Sequence, residues 1–352
     1  MRRTALRHRP GRRTAAPTAA LAGVLAAGLV LAGCGGSSSA SGSGGSSVTI
    51  GVSGANVNIL PVWVAQKKNF FAEHDIKVKL DVLTPTVTSS ALTSGSVQFL
   101  AGSAKNFLDA VDKGTGELTV AQTSVGVPLG LVISTHFAKE HHLTKDSPLS
   151  DVAKAMVGST GGSSSESTTA EVNLFLHEHG VDTKQMKVAS LSSPTIYESA
   201  LKTNRIDWFC TSEPTPLQAQ AAGTGIVVAN SANVPAWEPQ NMGPGNITVT
   251  TNSYAKKHPD AVKRFAQAMQ EAVQYIHDNE GSTALTDIAA AESPGIPLDV
   301  LKESISEIDW PANGRMTPAQ WATAVKFTSQ IDVIKPDMKV TEGTDWTNAY
   351  LG

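Results

Sequence analysis

The sequence predicts an α/β protein of two lobes, each built on a mainly parallel sheet. Strand-like and helix-like segments alternate from residue 48 to residue 133, a pattern that needs crossover connections and therefore parallel pairing. The alternation restarts near residue 155 and runs to about 230, after which helical periodicity dominates. The 352 residues, even without a short leader, exceed the length over which a single core keeps growing.

The elements follow in order. Val48–Val52 is a short β-branched strand ended by the turn signal Ser53-Gly54. Leu60 to Phe71 reads as one helix with Pro61 in its first turn. Ile76–Val82 alternates apolar and polar residues, the mark of a half-buried strand. Val87, Ala91 and Leu92 share a helical face that stops at Gly95. Val97–Ala101 is a strand, Lys105–Asp112 a helix ended by Gly114, and Leu118–Gln122 and Leu129–Ile133 are strands. In the second block, Ala155–Gly158 is strand-like and Thr168–His179 is a helix closed by Gly180. Lys187–Leu191, Asp207–Cys210 and Val227–Ala229 are strands, with a helix over Thr195–Leu201. Beyond a Pro-, Gly- and Asn-rich loop at 235–246, Ile247–Thr250 is a strand. His258–Asn279 then carries Val262, Phe265, Met269, Val273 and Ile276 on one helical face. Leu298, Leu301, Ile305 and Ile308 form another face, and Thr317-Pro318-Ala319-Gln320 spells a capping box.

This order assigns residues 48–133 plus 245–352 to the first lobe and 134–244 to an inserted second lobe. Two chain crossings between lobes make a hinge, and ligands of such sheets bind beyond the carboxyl ends of strands.

The N-terminus addresses the protein. Six arginines fall within residues 2–13, followed by an apolar, charge-free run from Thr18 to Ala32. A basic head, a short apolar middle and small exit residues make a secretory signal over 1–33, too short for a permanent span. Leu31-Ala32-Gly33-Cys34 resembles the lipobox of bacterial lipoproteins, which implies cleavage before Cys34 and lipidation of that residue, with palmitate among the acyl chains. Two or three chains on one residue suffice for stable anchoring. The expected location is therefore the outer face of the cell membrane. Residues 35–47 contain only Gly, Ser and Ala, a flexible tether reaching about 20 Å by coil statistics.

Past residue 33 the chain has 22 basic against 31 acidic residues, and only Arg205, Arg264 and Arg315 among its arginines. An acidic, arginine-poor body does not fit nucleic-acid binding, whose footprint is clustered Lys and Arg. Cys210 is the one cysteine beyond Cys34, so no internal disulfide framework is expected, and inside Trp208-Phe209-Cys210 it reads as a buried small apolar residue. The histidine pairs His141-His142 and His177-Glu178-His179 lack the i, i+4 spacing of zinc enzymes. Neither a nucleophile elbow nor a phosphate-binding Gly-Lys loop occurs. No cofactor and no metal are expected, and the protein is not expected to be an enzyme.

Four segments together resemble a family. Ala65-Gln66-Lys67-Lys68-Asn69-Phe70-Phe71 leading to Ile76, and Ala91-Leu92-Thr93-Ser94-Gly95-Ser96-Val97-Gln98-Phe99, are two of them. Ser199 to Asp207 and Lys256-Lys257-His258-Pro259-Asp260-Ala261-Val262 are the others. In order and spacing they resemble the solute-binding proteins of nitrate, sulfonate, taurine and thiamine-precursor transporters, over about residues 48–290. Gln98 stands where that family usually has aspartate, and Asn204 where it has glycine. The resemblance implies a type II periplasmic-binding-protein fold and a monomer that delivers a small solute to an ABC permease and its ATPase. The two Gly/Asn-to-Asp/Gln segments are helix stops feeding strands, and so carry architecture.

The leading candidate for ligand contact is Ser159 to Thr168, read as a loop between strand and helix. Glycines such as Gly162 let backbone N–H groups approach an anion, Ser163 and Ser164 add hydroxyls, and a helix start favours negative charge. The same composition also suits a plain polar connection with a serine cap. Ser53 and Asn56 after the first strand, and Ser103, Lys105 and Asn106 after the third, fall at the cleft by family geometry. Lys105 is either an ion partner or a solvated lysine. Pro128 precedes the first crossover; Asn241, with Asn246, lies near the second. Glu213 either meets a cationic amine or complements a helix dipole. Trp63, Trp208 and Trp237 are stacking surfaces or core. With no arginine in these loops a tightly paired dianion fits poorly; a small anion held by backbone N–H groups, or a heteroaromatic or aminated solute using Trp63 and Glu213, stays open. A ligand sensor that docks to a signalling partner, and a lipoprotein hydrolase, are the alternatives from other classes.

Overall fold

The computed structural model describes residues 46–52, 56–84, 87–163, 166–191 and 196–352. The leader, Cys34 and the tether as far as residue 45 lie outside the described residues, as do Ser53 and Ser164, while Ser46 and Ser47, expected in the tether, open the first strand by pairing with Ile76 and Lys77.

Ten strands form two five-stranded sheets. They are β1 (Ser46–Val52), β2 (Ile76–Val82), β3 (Phe99–Ser103), β4 (Glu117–Gln122), β5 (Leu129–Ser134), β6 (Thr160–Ser163), β7 (Lys187–Ser190), β8 (Trp208–Ser212), β9 (Gly225–Asn230) and β10 (Asn246–Thr251). The first sheet has the order β2-β1-β3-β10-β4 and the second β7-β6-β8-β5-β9. In each, four strands run in one direction and the fifth is antiparallel to both its neighbours: β10 between β3 and β4, β5 between β8 and β9. Each antiparallel strand is the one that has just arrived from the other sheet, so both sheets are closed by a chain crossing. Leu129–Ser134, on the first-lobe side of the expected boundary at 133, therefore belongs to the second sheet.

The reasons for these elements are local. On β2, Ile76 is buried while Lys77 is exposed, and lysines along an edge strand discourage a further strand from pairing there. β4 and β5 are buried throughout, as strands covered on both faces must be. The Pro259–Asp278 helix buries Val262, Phe265, Met269, Val273 and Ile276 as its period requires, and Phe265 stacks on Phe71 with ring centroids 5.5 Å apart. Thr317 and Gln320 form the capping box of the Pro318–Gln330 helix. The helix expected over 60–71 is two, Leu60–Lys67 and Phe70–Glu73, because Asn69 takes a left-handed conformation, φ 65°. The strand expected at 155–158 is the end of a helix, Leu149–Ala155, whose Val152, Ala153 and Met156 are buried on one face. The strand begins at Thr160 instead.

The two family-like segments do the same job in the two sheets. The Gln98 amide oxygen accepts the Thr49 N–H of β1 at 2.8 Å, and a carboxylate oxygen of Asp207 accepts the Thr160 N–H of β6 at 2.8 Å. Each ties an incoming strand to the strand beside it. Asn204 holds φ 54°, the left-handed turn that glycine would make at lower cost.

The crossings run side by side. Gly126 N–H donates to Gly243 O at 2.8 Å, Gly245 N–H to Ser124 O at 2.9 Å, and Val125 N–H to Asp309 O at 2.9 Å. The first core gathers Ile50, Trp63, Phe99 and Phe265 with Leu301, Ile305 and Ile308 of the C-terminal helices. The second gathers Leu131, Phe175, Trp208 and Trp237. Below, each sheet with the helices packed on it is called a body.

Candidate functional site

Several of the candidate residues follow the carboxyl ends of strands that share one direction within their own sheet: Asn56 after β1, Ser103, Lys105 and Asn106 at the end of β3, and Glu213 after β8. Ser103 ends β3 and accepts from Asn106 N–H at the start of the Ala104–Asp112 helix. Lys105, two residues after Ser103, reaches across to the second body and pairs with Glu171 at 2.6 Å. Glu171 is almost completely buried, on the Glu166–Glu178 helix. An open groove of about 490 Å³ lies beside this bridge, lined by Lys105, Asn106 and Asp109 on one side and Ala170 and Asn173 on the other.

That bridge is worth a direct test. Lys105→Met would leave the Glu171 carboxylate buried without its partner, so the variant should lose about 3 kcal/mol in a urea titration. Adding Glu171→Met should restore most of that loss, since a buried pair replaced by apolar side chains is close to neutral.

Asn56 accepts from Asn58 N–H at 3.0 Å, capping the short turn Val57–Ile59 that follows β1. Pro128 is buried, and its carbonyl accepts Glu213 N–H at 3.0 Å. Glu213 is almost inaccessible, 1 % exposed, at the end of β8. Leu217 N–H donates to its Oε2 at 3.1 Å, and its Oε1 has no hydrogen-bond partner. Burial first, and then the negative charge of Glu307, push the Glu213 carboxyl up to about 9. Burial and the neighbouring Glu303 push Glu307 up to about 7, against a hydrogen bond from Asn230. Glu307 also keeps a buried Oε2 without a partner.

The other expected residues have different occupations. Gly162 lies inside β6, paired with Ala189 and Phe209. A Cβ there would come within 2.7 Å of Ile206 and 2.8 Å of Leu191, so packing calls for this glycine. At Gly161 the Trp208 ring occupies the space at 2.2 Å. Of the loop expected from 159 to 168, Thr160–Ser163 is thus strand and Glu166 onward is helix. Ser163 is buried, and its carbonyl accepts Leu191 N–H at 2.8 Å. Trp63, Trp208 and Trp237 are sealed in the two cores, and Trp237 donates its indole N–H to Glu171 O at 3.1 Å. Asn241 is exposed, with its amide spent on Pro235 O and Glu238. Cys210 is buried, and desolvation raises its thiol well above the ordinary range, with Glu171 and Glu213 adding to the effect. A thiol held neutral in this way is a poor nucleophile.

Sequence reading missed Glu171, Glu303, Glu307 and Asn230. Glu303 and Glu307 sit on and just after the Leu298–Ser306 helix, where only the apolar face carried a signal.

The sequence matches the NMT1-like family over residues 42–290. The chain belongs to that family. As a member of the NMT1-like family it shares its fold with periplasmic binding proteins of known structure. The ligand-binding component of an ABC-type import system from Staphylococcus aureus, solved with zinc bound, is 15% identical, with a TM-score of 0.63 over 83% of this chain and 94% of that one. The aliphatic sulphonate-binding protein SsuA of Escherichia coli is 15% identical, TM-score 0.60, over 82% and 86%. The nitrate-binding protein NrtA of Synechocystis PCC 6803 is 14% identical, TM-score 0.59, over 83% and 87%. Among curated proteins, none matches this sequence. The NMT1-like chain thus has the two-sheet periplasmic-binding-protein fold, and among its described residues no helix is long and apolar enough to cross a membrane.

Proposed function

We propose that this protein is the extracytoplasmic solute-binding component of an ABC importer. It is tethered by lipid on Cys34 and closes two hinged lobes, joined at the paired crossings, over a small solute that it hands to a permease. The observation that carries this reading is the pair of sheets with one strand order, each closed by a strand from the other and bridged at the rim by Lys105 and Glu171. Two bodies joined by two adjacent crossings can rotate about them, the geometry of hinge closure around a ligand. Glu213, Pro128, Ser103, Lys105 and Asn106 bound the region between them, and the solute is bound and released there unchanged. The NMT1-like membership and the binding proteins among the structural neighbours support the same reading.

The test is made in the bacterium that produces it. Crosslinking on intact cells followed by purification should recover a multi-span permease and its ATPase, and Cys34→Ser should move the protein from the membrane to the soluble fraction. Recovery of a signalling kinase in place of the permease would favour a sensor and sink the importer reading.

A further inference from the structure

Glu213 and Glu307 come from different bodies and share one predicament. Glu213 stands at the mouth of the second sheet, with Oε1 close over the bare Cα of Gly130: a Cβ there would lie 3.1 Å from that oxygen. Among the described residues no donor reaches Oε1. Glu307 follows the Leu298–Ser306 helix, which belongs to the first core through Leu301 and Ile305 and packs on the Thr215–Ala221 helix that Glu213 introduces. Its Oε2 is likewise buried and unpartnered. Ser304, one turn earlier on the same helical face, is fully buried with no partner for its hydroxyl. Each of these three side chains thus keeps one buried polar atom without a partner among the described residues, although buried polar groups ordinarily find them.

The charges around this point are acidic. Glu307 and Glu303 both act on Glu213. The Thr215–Ala221 helix, β5 and β9 contribute no titratable side chain, and the Cys210 thiol on β8 is held neutral. Asp299 and Lys302 line an outer groove with Glu303, and Lys105 is committed to Glu171. Among the described residues no group of three or more His, Cys, Asp or Glu is arranged to hold a metal ion, so an organic cation suits the place better than a metal.

Resting on the solute-binding reading above, we propose that Glu213 and Glu307 form a two-sided clamp selecting a solute that carries a protonated nitrogen, on an alkyl, amidine or heteroaromatic frame. The nitrogen donates to Glu213 Oε1 and Glu307 Oε2, one from each body, so that closing the bodies completes the site. This replaces an anion with a cation as the preferred solute. The proton that Glu213 otherwise holds at neutral pH passes to solvent as the cation arrives, so affinity rises with pH.

Calorimetry on the full-length protein tests this with methylammonium, agmatine and benzamidine against nitrate and methanesulfonate. At least one cation should bind, its association constant rising up to tenfold per pH unit between pH 6 and 8. Glu213→Gln should weaken that binding at least 30-fold and flatten the pH slope, and Glu307→Gln should weaken it about tenfold. Both glutamines keep the shape of the side chain, and a circular-dichroism melt on each variant separates lost binding from lost folding. Unchanged affinity in folded Glu213→Gln would overturn the clamp. Binding of nitrate or methanesulfonate in place of the cations would overturn it too, while leaving the solute-binding reading intact. Silence from every cation also overturns it, and the solute-binding reading then stands or falls by the crosslinking experiment.

Discussion

Gly245→Ala should melt at a temperature lower by about 6 °C or more, the largest loss expected from any single methyl group in this protein. A Cβ on residue 245 would sit 1.6 Å from the carbonyl oxygen of Gly126 and 2.8 Å from Ser124 Oγ. The first of these is backbone, and it belongs to the other crossing, so no rotamer change relieves the clash. Residue 126 has little freedom to retreat: it holds φ 61°, and its own Cβ position is 2.5 Å from Pro239 Cα. The two crossings must move apart, breaking the bonds Gly126–Gly243 and Gly245–Ser124. Overpacking ordinarily costs about 1–3 kcal/mol, and two broken backbone hydrogen bonds raise that to at least about 3 kcal/mol. At about 2 °C per kcal/mol for a chain of this size, the fall is the one stated. Gly102→Ala is the control. Nothing lies within 4 Å of its Cβ position and its φ is ordinary, so it should melt within about 1 °C of the parent. A Gly245→Ala protein that melted with the control would mean that the crossings are not held in register by this contact.

The crossings also mark where sequence reading stops. Period and composition carried the alternation of strands and helices, because each half-buried element writes its own face into the chain. They carried the antiparallel insertion of β5 and β10 nowhere, since pairing direction is a property of two distant segments. That β5 pairs with β8 and β9 in the second sheet is visible only once the chain is folded. The glycines of Thr160–Ser163 expose a second limit. Glycine beside serine is compatible with a loop that approaches an anion and with a strand roofed by a tryptophan, and only Trp208, 47 residues from Gly161, decides between them. Glu213 was legible as a singular position because it opens a helix after a strand. Its meaning was not, because Glu307 and Ser304 arrive from the other body through folding alone. By contrast Gln98 and Asn204, which depart from the family's usual residues, keep its architecture: an amide oxygen can cap Thr49 as a carboxylate does, and asparagine tolerates the turn at φ 54°.

Glu213→Gln should be more stable than the parent at pH 8, and the difference should disappear toward pH 4. The sign follows from the direction of the shift. In the unfolded chain the Glu213 carboxyl ionises near 4.5, and in the folded protein it does so only at about 9. Folding between those values must therefore take up a proton, so stability is full below pH 4.5 and declines as pH rises toward 9. At pH 8 the loss on this account is on the order of 3–5 kcal/mol, and a neutral amide of the same shape escapes it. Glu307, raised to about 7, contributes in the same sense, and the two titrate as a coupled pair. Urea titrations of parent and Glu213→Gln at pH 5, 6, 7 and 8 should give curves that diverge with pH. Parallel curves would mean that Glu213 ionises in place without cost, and that some partner already neutralises it. Divergent curves together with lost cation binding would explain why an acid is kept where an amide folds better. The cost of ionising two acidic groups that face each other from opposite bodies is met either by a proton or by a cation between them. Closure with such a solute is favoured over closure without it by that same margin, which is how a binding protein keeps the two states apart.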